Sequence, residues 1–197
     1  MTTGATGNQR SLSAAGLREL AEARGILIGA AVAAKPVAED ATYQEVLARE
    51  FNCLTCENVM KSMYLQPERG QFDFAPADTI VSFAADHAMA VRGHTLVWHR
   101  QNPAWLVRGV EDGTLADALP GLLREHVWTV MTYYRERRPG VVMAWDVVNE
   151  AVADDGTPRD TLWWHRLGPD YVAQAFRWAH EADPDARLFY NDYGADG

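Results

Sequence analysis

Glu150 closes a stretch that is otherwise almost entirely apolar. The segment Val141-Val142-Met143-Ala144-Trp145-Asp146-Val147-Val148-Asn149-Glu150 is broken only by Asp146 and ends on an Asn-Glu pair. That is the pattern of a strand buried on both faces that delivers a carboxyl group at its C-terminal edge. A carboxyl so placed can give or take a proton or attack an electrophilic carbon. Similar polar clusters close three other apolar stretches: Glu57, Asn58 and Lys61 follow one, His94 and Trp98 lie on the next, and Asn191-Asp192-Tyr193 follow the last. Singly, each has a plain structural explanation, such as a solvated loop for Asn149-Glu150, a hydrogen-bonded core histidine for His94 and packing for Trp98. Four strand ends aiming polar groups at one rim are better explained by the site geometry of a (β/α) barrel. The two-residue period of a strand puts Arg92, His94, Leu96 and Trp98 on one face and His99 on the other. A metal site built from His94 and His99 is therefore disfavoured.

The elements that must carry these groups alternate along the chain. Ser13 can cap a helix ending near Arg24, with Gly25 as its terminator, and residues 1–12 read as a disordered tail. Strands are expected over 26–32, 50–56, 90–98, 141–150 and 187–191. Between them the pattern gives helices over 42–49, 76–87, a broken region 114–137, a short turn at 163–167, and 170–182 with an apolar stripe from Tyr171 to Ala179. Pro36 and Asn102-Pro103 read as loops. Strands separated by helices require a parallel sheet with right-handed crossovers, hence an α/β fold of barrel type. At 197 residues the chain is short for a complete eight-stranded barrel of typically about 250.

Composition narrows the partners. The formal charge of -9, from 18 basic and 27 acidic side chains, argues against nucleic acid or an anionic membrane surface, and a neutral ligand fits more easily. Seven Trp, seven Tyr and six Phe offer flat apolar faces of the kind that stack on sugar rings, although most aromatic residues in any domain are core. No apolar run reaches 18 residues and no basic-then-apolar leader opens the sequence, so neither a membrane span nor an export signal is expected from the residues given. Cys53 and Cys56 lie three apart on an expected strand, facing opposite sides, which reads as two free thiols and not as a disulfide or metal site.

Five motifs together resemble the glycoside hydrolase family 10 xylanases: Phe51-Asn52-x-Leu54-Thr55-x-Glu57-Asn58-x-Met60-Lys61, Pro67-x-x-Gly70-x-Phe72-x-Phe74, Arg92-Gly93-His94-Thr95-Leu96-Val97-Trp98-His99, Trp145-Asp146-Val147-Val148-Asn149-Glu150 and Leu188-Phe189-Tyr190-Asn191-Asp192-Tyr193. The resemblance runs in order from about Leu17 to Tyr193. It implies about five βα units of a (β/α)8 barrel over 13–197 and retaining hydrolysis of β-1,4-xylosidic bonds in xylan or xylo-oligosaccharides, with no cofactor. By the same resemblance Glu150 is the acid/base. Glu57, Asn58, Lys61, His94, Trp98, Gln101, Asn149 and Tyr193 contact substrate, and Asp146 and Asp192 support them. Family members are expected to be extracellular.

The departures are as informative. The family's nucleophile is a Glu in an Ile-Thr-Glu-Leu-Asp-like segment on strand seven, and no such segment occurs here; the later strand-six His and strand-eight Trp residues are also missing. Glu57, Asp146 and Asp192 are the carboxylates near the expected rim, but each matches a binding or supporting position. Cys56, Ser62 and Gly194 stand where the family usually has Pro, Trp and Asn. The sequence thus leaves two readings: a xylanase-like hydrolase lacking the nucleophile-bearing part, or a non-catalytic carbohydrate-binding or interaction module. In either case five strands leave open sheet edges through which the chain is expected to self-associate.

Overall fold

The computed structural model describes residues 15–194; the expected tail over 1–12 and the Ser13 cap lie outside the described residues. Five strands, β1 (Gly29–Val32), β2 (Cys53–Cys56), β3 (Ala90–Val97), β4 (Val142–Asn149) and β5 (Arg187–Asn191), form one sheet in chain order, with every neighbouring pair parallel. The helices are α1 (Leu17–Glu22), α2 (Ala34–Glu39), α3 (Ala41–Glu50), α4 (Ser62–Leu65), α5 (Ala75–Asp86), α6 (Ala104–Glu111), α7 (Leu119–Arg137), α8 (Leu162–Leu167) and α9 (Tyr171–Ala182). None of them is long and apolar enough to cross a membrane.

Burial explains the layering. One face of the sheet is sealed by helices, with Leu54, Val91, Trp145, Val147, Ile80, Val130 and Ala179 all fully buried in a single core. The other face is a trough of about 570 Å³ whose lining includes Thr55, Arg92, His94, Asp146, Phe189 and Asn191. Polar side chains thus stand on the trough face among small and apolar ones such as Ala30, Met143 and Phe189, while the helix-covered face is apolar. Deep in the core, burial pulls the pKa of His126 down to about 4, so its ring is neutral near pH 7.

Gly93 on β3 is registered with Trp145 on β4, and a methyl group at Gly93 would overlap the six-membered ring of Trp145. Because Trp145 is fully buried, it has nowhere to move. Gly93→Ala is therefore expected to destabilise the fold by about 1–3 kcal/mol or more. The same change at Gly121, in the first turn of α7 with open space around it, should be neutral or stabilising by a few tenths to about 1 kcal/mol. Urea unfolding of the two variants tests this, and equal effects would contradict the close approach.

Several boundaries differ from the sequence expectation. β1 begins at Gly29, leaving Ile26 and Leu27 about half exposed. β2 begins at Cys53 because the buried Asn52 side chain bonds the Ile28 N–H at 2.8 Å and the Ile26 carbonyl at 3.2 Å, while Glu50 ends α3 and accepts the Leu17 N–H at 2.8 Å. Pro36 falls in the first turn of α2, where its missing N–H is not needed. The residues after Pro103 form α6, in a stretch for which the sequence motifs gave no element, and the broken helical region expected from 114 is regular only from Leu119.

Candidate active site

The four polar clusters do meet at the C-terminal edge of the sheet. Strand β4 hands the chain to Glu150, whose backbone is left-handed at φ 54, a conformation that strains a residue with a Cβ. Its carboxylate accepts the indole N–H of Trp98 at 2.9 Å and lies 3.9 Å from His99 Nε2. Beside it, the buried Asn149 amide oxygen accepts from Asn191 Nδ2 at 2.8 Å; turned through half a rotation, that oxygen would accept from Trp98 Nε1 at 3.1 Å.

The expected alternation along β3 does not survive to its end. The pairing of β3 with β4 shifts register between His94 and Val97, and Leu96 turns into the helix layer beside Trp105, Leu123 and His126. Past that irregularity Trp98 and His99 both approach Glu150, so His99 does not face away as the two-residue period suggested. Burial is the leading cause that lowers the His99 pKa, followed by the Arg159 charge, with Glu150 acting against both.

On the β2 side, Lys61 Nζ sits 4.8 Å from the centre of the Trp98 ring and donates to Asn58 Oδ1 at 3.3 Å. Gln101, also left-handed at φ 49, donates to the same oxygen at 3.2 Å. Burial lowers the Lys61 pKa, opposed by Glu57 and Glu150. Glu57 itself is exposed at the rim. Asn58, Lys61, Trp98, Gln101 and Glu150 thus form one continuous polar and aromatic wall.

Deeper in the trough, Asp146 is nearly sealed from solvent at 2% exposure. Arg92 donates to Oδ1 from Nε at 2.9 Å and also from Nη2, His94 Nδ1 lies 2.9 Å from Oδ2, and Thr95 Oγ1 donates to the Asp146 carbonyl at 2.7 Å. With both oxygens of its carboxylate engaged, Asp146 orients Arg92 and His94 across the trough. Asp192 and Tyr193 stand at the outer margin. Asp192 accepts from the Tyr190 hydroxyl and from the Tyr193 N–H. The Tyr193 hydroxyl accepts from Arg159 Nη2 at 3.0 Å and donates to Asp154, leaving its ring half exposed.

Arg159, Tyr190 and the approach of His99 stand outside the site residues expected from the sequence motifs. Arg159 had a signal, since it is the only Lys or Arg between Glu150 and His165, in a segment that carries Asp154, Asp155 and Asp160. Among the described residues no group of three His, Cys, Asp or Glu is arranged to hold a metal ion. Cys53 and Cys56 are free thiols, and burial pushes the pKa of Cys56 up to about 12.

An acidic residue on a left-handed turn after the fourth parallel strand, flanked by Asn and facing an indole, coincides with a family-wide match. Residues 16–197 match glycosyl hydrolase family 10. The chain belongs to that family. It is 48% identical over 181 residues to Endo-1,4-beta-xylanase B of Thermotoga neapolitana, covering 90% of this chain and 50% of that protein. It is 47% identical over 153 residues to Beta-1,4-xylanase of Dictyoglomus thermophilum, covering 77% of this chain and 41% of that protein. The crystal structure of xylanase 10B from Thermotoga petrophila RKU-1 in complex with xylobiose superposes with a TM-score of 0.80 at 44% identity, over 91% of this chain and 53% of that one. This family 10 chain therefore spans about half the length of the relatives it matches. Its parallel sheet and crossing helices are part of a (β/α)8 barrel, four βα units and a fifth strand among the described residues.

Proposed function

We propose that residues 13–197 are the part of a retaining endo-1,4-β-xylanase that carries the acid/base Glu150 and the wall holding the sugars on the non-reducing side of the cleaved bond. The single observation that carries the reading is the Glu150 carboxylate, which meets the Trp98 indole at 2.9 Å on the rim where Asn149 and Asn191 also converge. The relatives' names and the xylobiose in the related structure support β-1,4-xylan as the substrate.

Retention takes two carboxyl groups about 5–5.5 Å apart. Protonated Glu150 gives its proton to the glycosidic oxygen as that bond breaks, while a second carboxylate attacks the anomeric carbon. Glu150, now ionised, then takes a proton from the water that attacks the same carbon and displaces the second carboxylate. The Ile-Thr-Glu-Leu-Asp-like segment that bears the second carboxylate in the family does not occur in these 197 residues. In our reading it comes from the other βα units of a closed barrel. Asn149 bonds the sugar 2-hydroxyl, a contact that strengthens as positive charge develops on the ring. Asn58, Lys61, His94 and Gln101 supply donors and acceptors for hydroxyl groups, Glu57 an acceptor at the rim, and Trp98 and Tyr193 aromatic faces. Asp146 and Asp192 support these groups. Expressed alone, the five-stranded unit self-associates, because among the described residues β1 and β5 each present an unpaired edge beside apolar surface such as Leu27 and Phe189.

The test uses a completed barrel, made by joining this chain to the remaining units of the Thermotoga neapolitana relative. It should hydrolyse β-1,4-xylan, and Asn58→Ala, which removes the acceptor shared by Lys61 and Gln101, should raise the Kd for xylotriose by about 10-fold, the equivalent of one good hydrogen bond. Calorimetry showing unchanged affinity would make the wall packing and not recognition. Binding without any hydrolysis would favour the non-catalytic module.

A further inference from the structure

Every backbone N–H and C=O from Glu150 to Val152 is hydrogen-bonded, and two side chains outside the proposed chemistry supply most of the partners. The Glu150 N–H donates to the Asn191 carbonyl at 2.9 Å. The Glu150 carbonyl accepts from Arg159 Nε at 2.9 Å and the Val152 carbonyl from Arg159 Nη2 at 2.7 Å. The Ala151 carbonyl accepts the Arg159 N–H at 2.8 Å. The Ala151 and Val152 N–H groups both donate to the Tyr190 hydroxyl, at 3.0 and 3.1 Å, and that hydroxyl donates its own hydrogen bond to the Asp192 carboxylate. Arg159 is held in turn by the Tyr193 hydroxyl at 3.0 Å and by the Tyr193 ring, 5.6 Å from the guanidinium carbon.

The intervening loop does not need this clamp to form. Ala153 N–H donates to Thr157 O at 2.8 Å, Gly156 N–H to Ala153 O at 2.9 Å, and Asp155 accepts from both the Thr157 N–H and hydroxyl. What the clamp does fix is the left-handed turn at Glu150, φ 54, a strained conformation that persists only where the surroundings over-determine it. Released, that backbone would relax to negative φ and carry the Cβ and carboxyl away from Trp98.

We propose that Arg159 and Tyr190 are positioning residues for the Glu150 proton transfer, setting the direction of its carboxyl by gripping the peptide groups on either side of it. The proposal rests on the reading of Glu150 as acid/base. It separates catalysis from recognition, because neither clamp residue is placed on the sugar-binding wall. It also explains why a lone cation sits in an acidic loop: its fork matches two carbonyls that lie two residues apart.

The experiment compares Tyr190→Phe, Arg159→Lys and Glu150→Ala with the parent in the completed barrel, on xylan and on an aryl xylobioside whose dinitrophenolate departs without protonation. Tyr190→Phe deletes one oxygen, and Arg159→Lys keeps the charge but replaces the two-nitrogen fork that reaches the two carbonyls with a single point donor. Both should lower kcat on xylan by about 10- to 100-fold, as expected for misdirected reacting groups, with KM within about twofold and pre-steady-state dinitrophenolate release nearly unchanged. Equal losses on the two substrates, a change confined to KM, or full activity of Arg159→Lys would overturn the clamp while leaving Glu150 in its role, provided Glu150→Ala itself spares the aryl substrate. If Glu150→Ala does not spare it, the acid/base reading fails and the clamp falls with it.

Discussion

Replacing Glu150 by Ala is expected to lower turnover of xylan by the completed barrel by about 10²–10⁴-fold, the range of a lost general acid and base. The size of the effect follows from the chemistry of the leaving group. A sugar alkoxide is too basic to depart unprotonated, so under the proposed mechanism the glycosylation step on xylan depends on the Glu150 proton. An aryl glycoside with an acidic phenol does not have that dependence, and its glycosylation should proceed at close to the parent rate. Its steady-state rate would still drop, because water attacking the glycosyl-enzyme has lost its base. The result is a burst of phenolate followed by slow turnover, read by stopped-flow absorbance. Equal slowing of the burst and of xylan cleavage would remove Glu150 from the acid role.

Asp146→Ala is the substitution expected to cost most stability. It removes a carboxylate at 2% exposure that holds Arg92, with Nε at 2.9 Å, and His94, with Nδ1 at 2.9 Å. Both partners would remain in the trough without their shared acceptor, and breaking one side of a buried pair typically costs about 3–5 kcal/mol. Part of the Arg92 guanidinium is open to solvent, with a side-chain exposure of 37%, which places the expected loss at the lower end of that range. Urea unfolding of the completed barrel measures it. A loss below about 1 kcal/mol, the level of an exposed pair, would show that solvent already satisfies Arg92 and His94.

The barrel layout was legible because its signals are strong and local. Apolar runs ending in polar clusters, with Pro or Gly between them, put β3, β4, β5, α5 and α9 within a few residues of their positions. What the sequence hid were features set by tertiary contact. Asn52 ends its run by bonding across to Ile28 and Ile26, which no period reveals. The shifted register of β3 against β4 breaks the alternation by which His99 was expected to face away. At the site, Glu150, Asn149, Asn58, Lys61 and Trp98 stand beside one another, whereas the hydroxyl of Tyr193 turns back to Arg159 and Asp154. Arg159 showed only as a lone cation in an acidic segment, and Tyr190 gave no signal as a positioning group, because both act on backbone atoms that every residue carries.

The most direct test of Glu150 as the acid/base of a retaining enzyme is the product formed by Glu150→Ala in the completed barrel when dinitrophenyl β-xylobioside is supplied with azide. Azide needs no base and can occupy the space the carboxylate leaves. It should attack the anomeric carbon of the glycosyl-enzyme, displace the second carboxylate, raise the steady-state rate and yield the β-glycosyl azide, identified by its anomeric proton coupling. An α-glycosyl azide would put Glu150 in the nucleophile's place, and no acceleration by azide would contradict its role as the base.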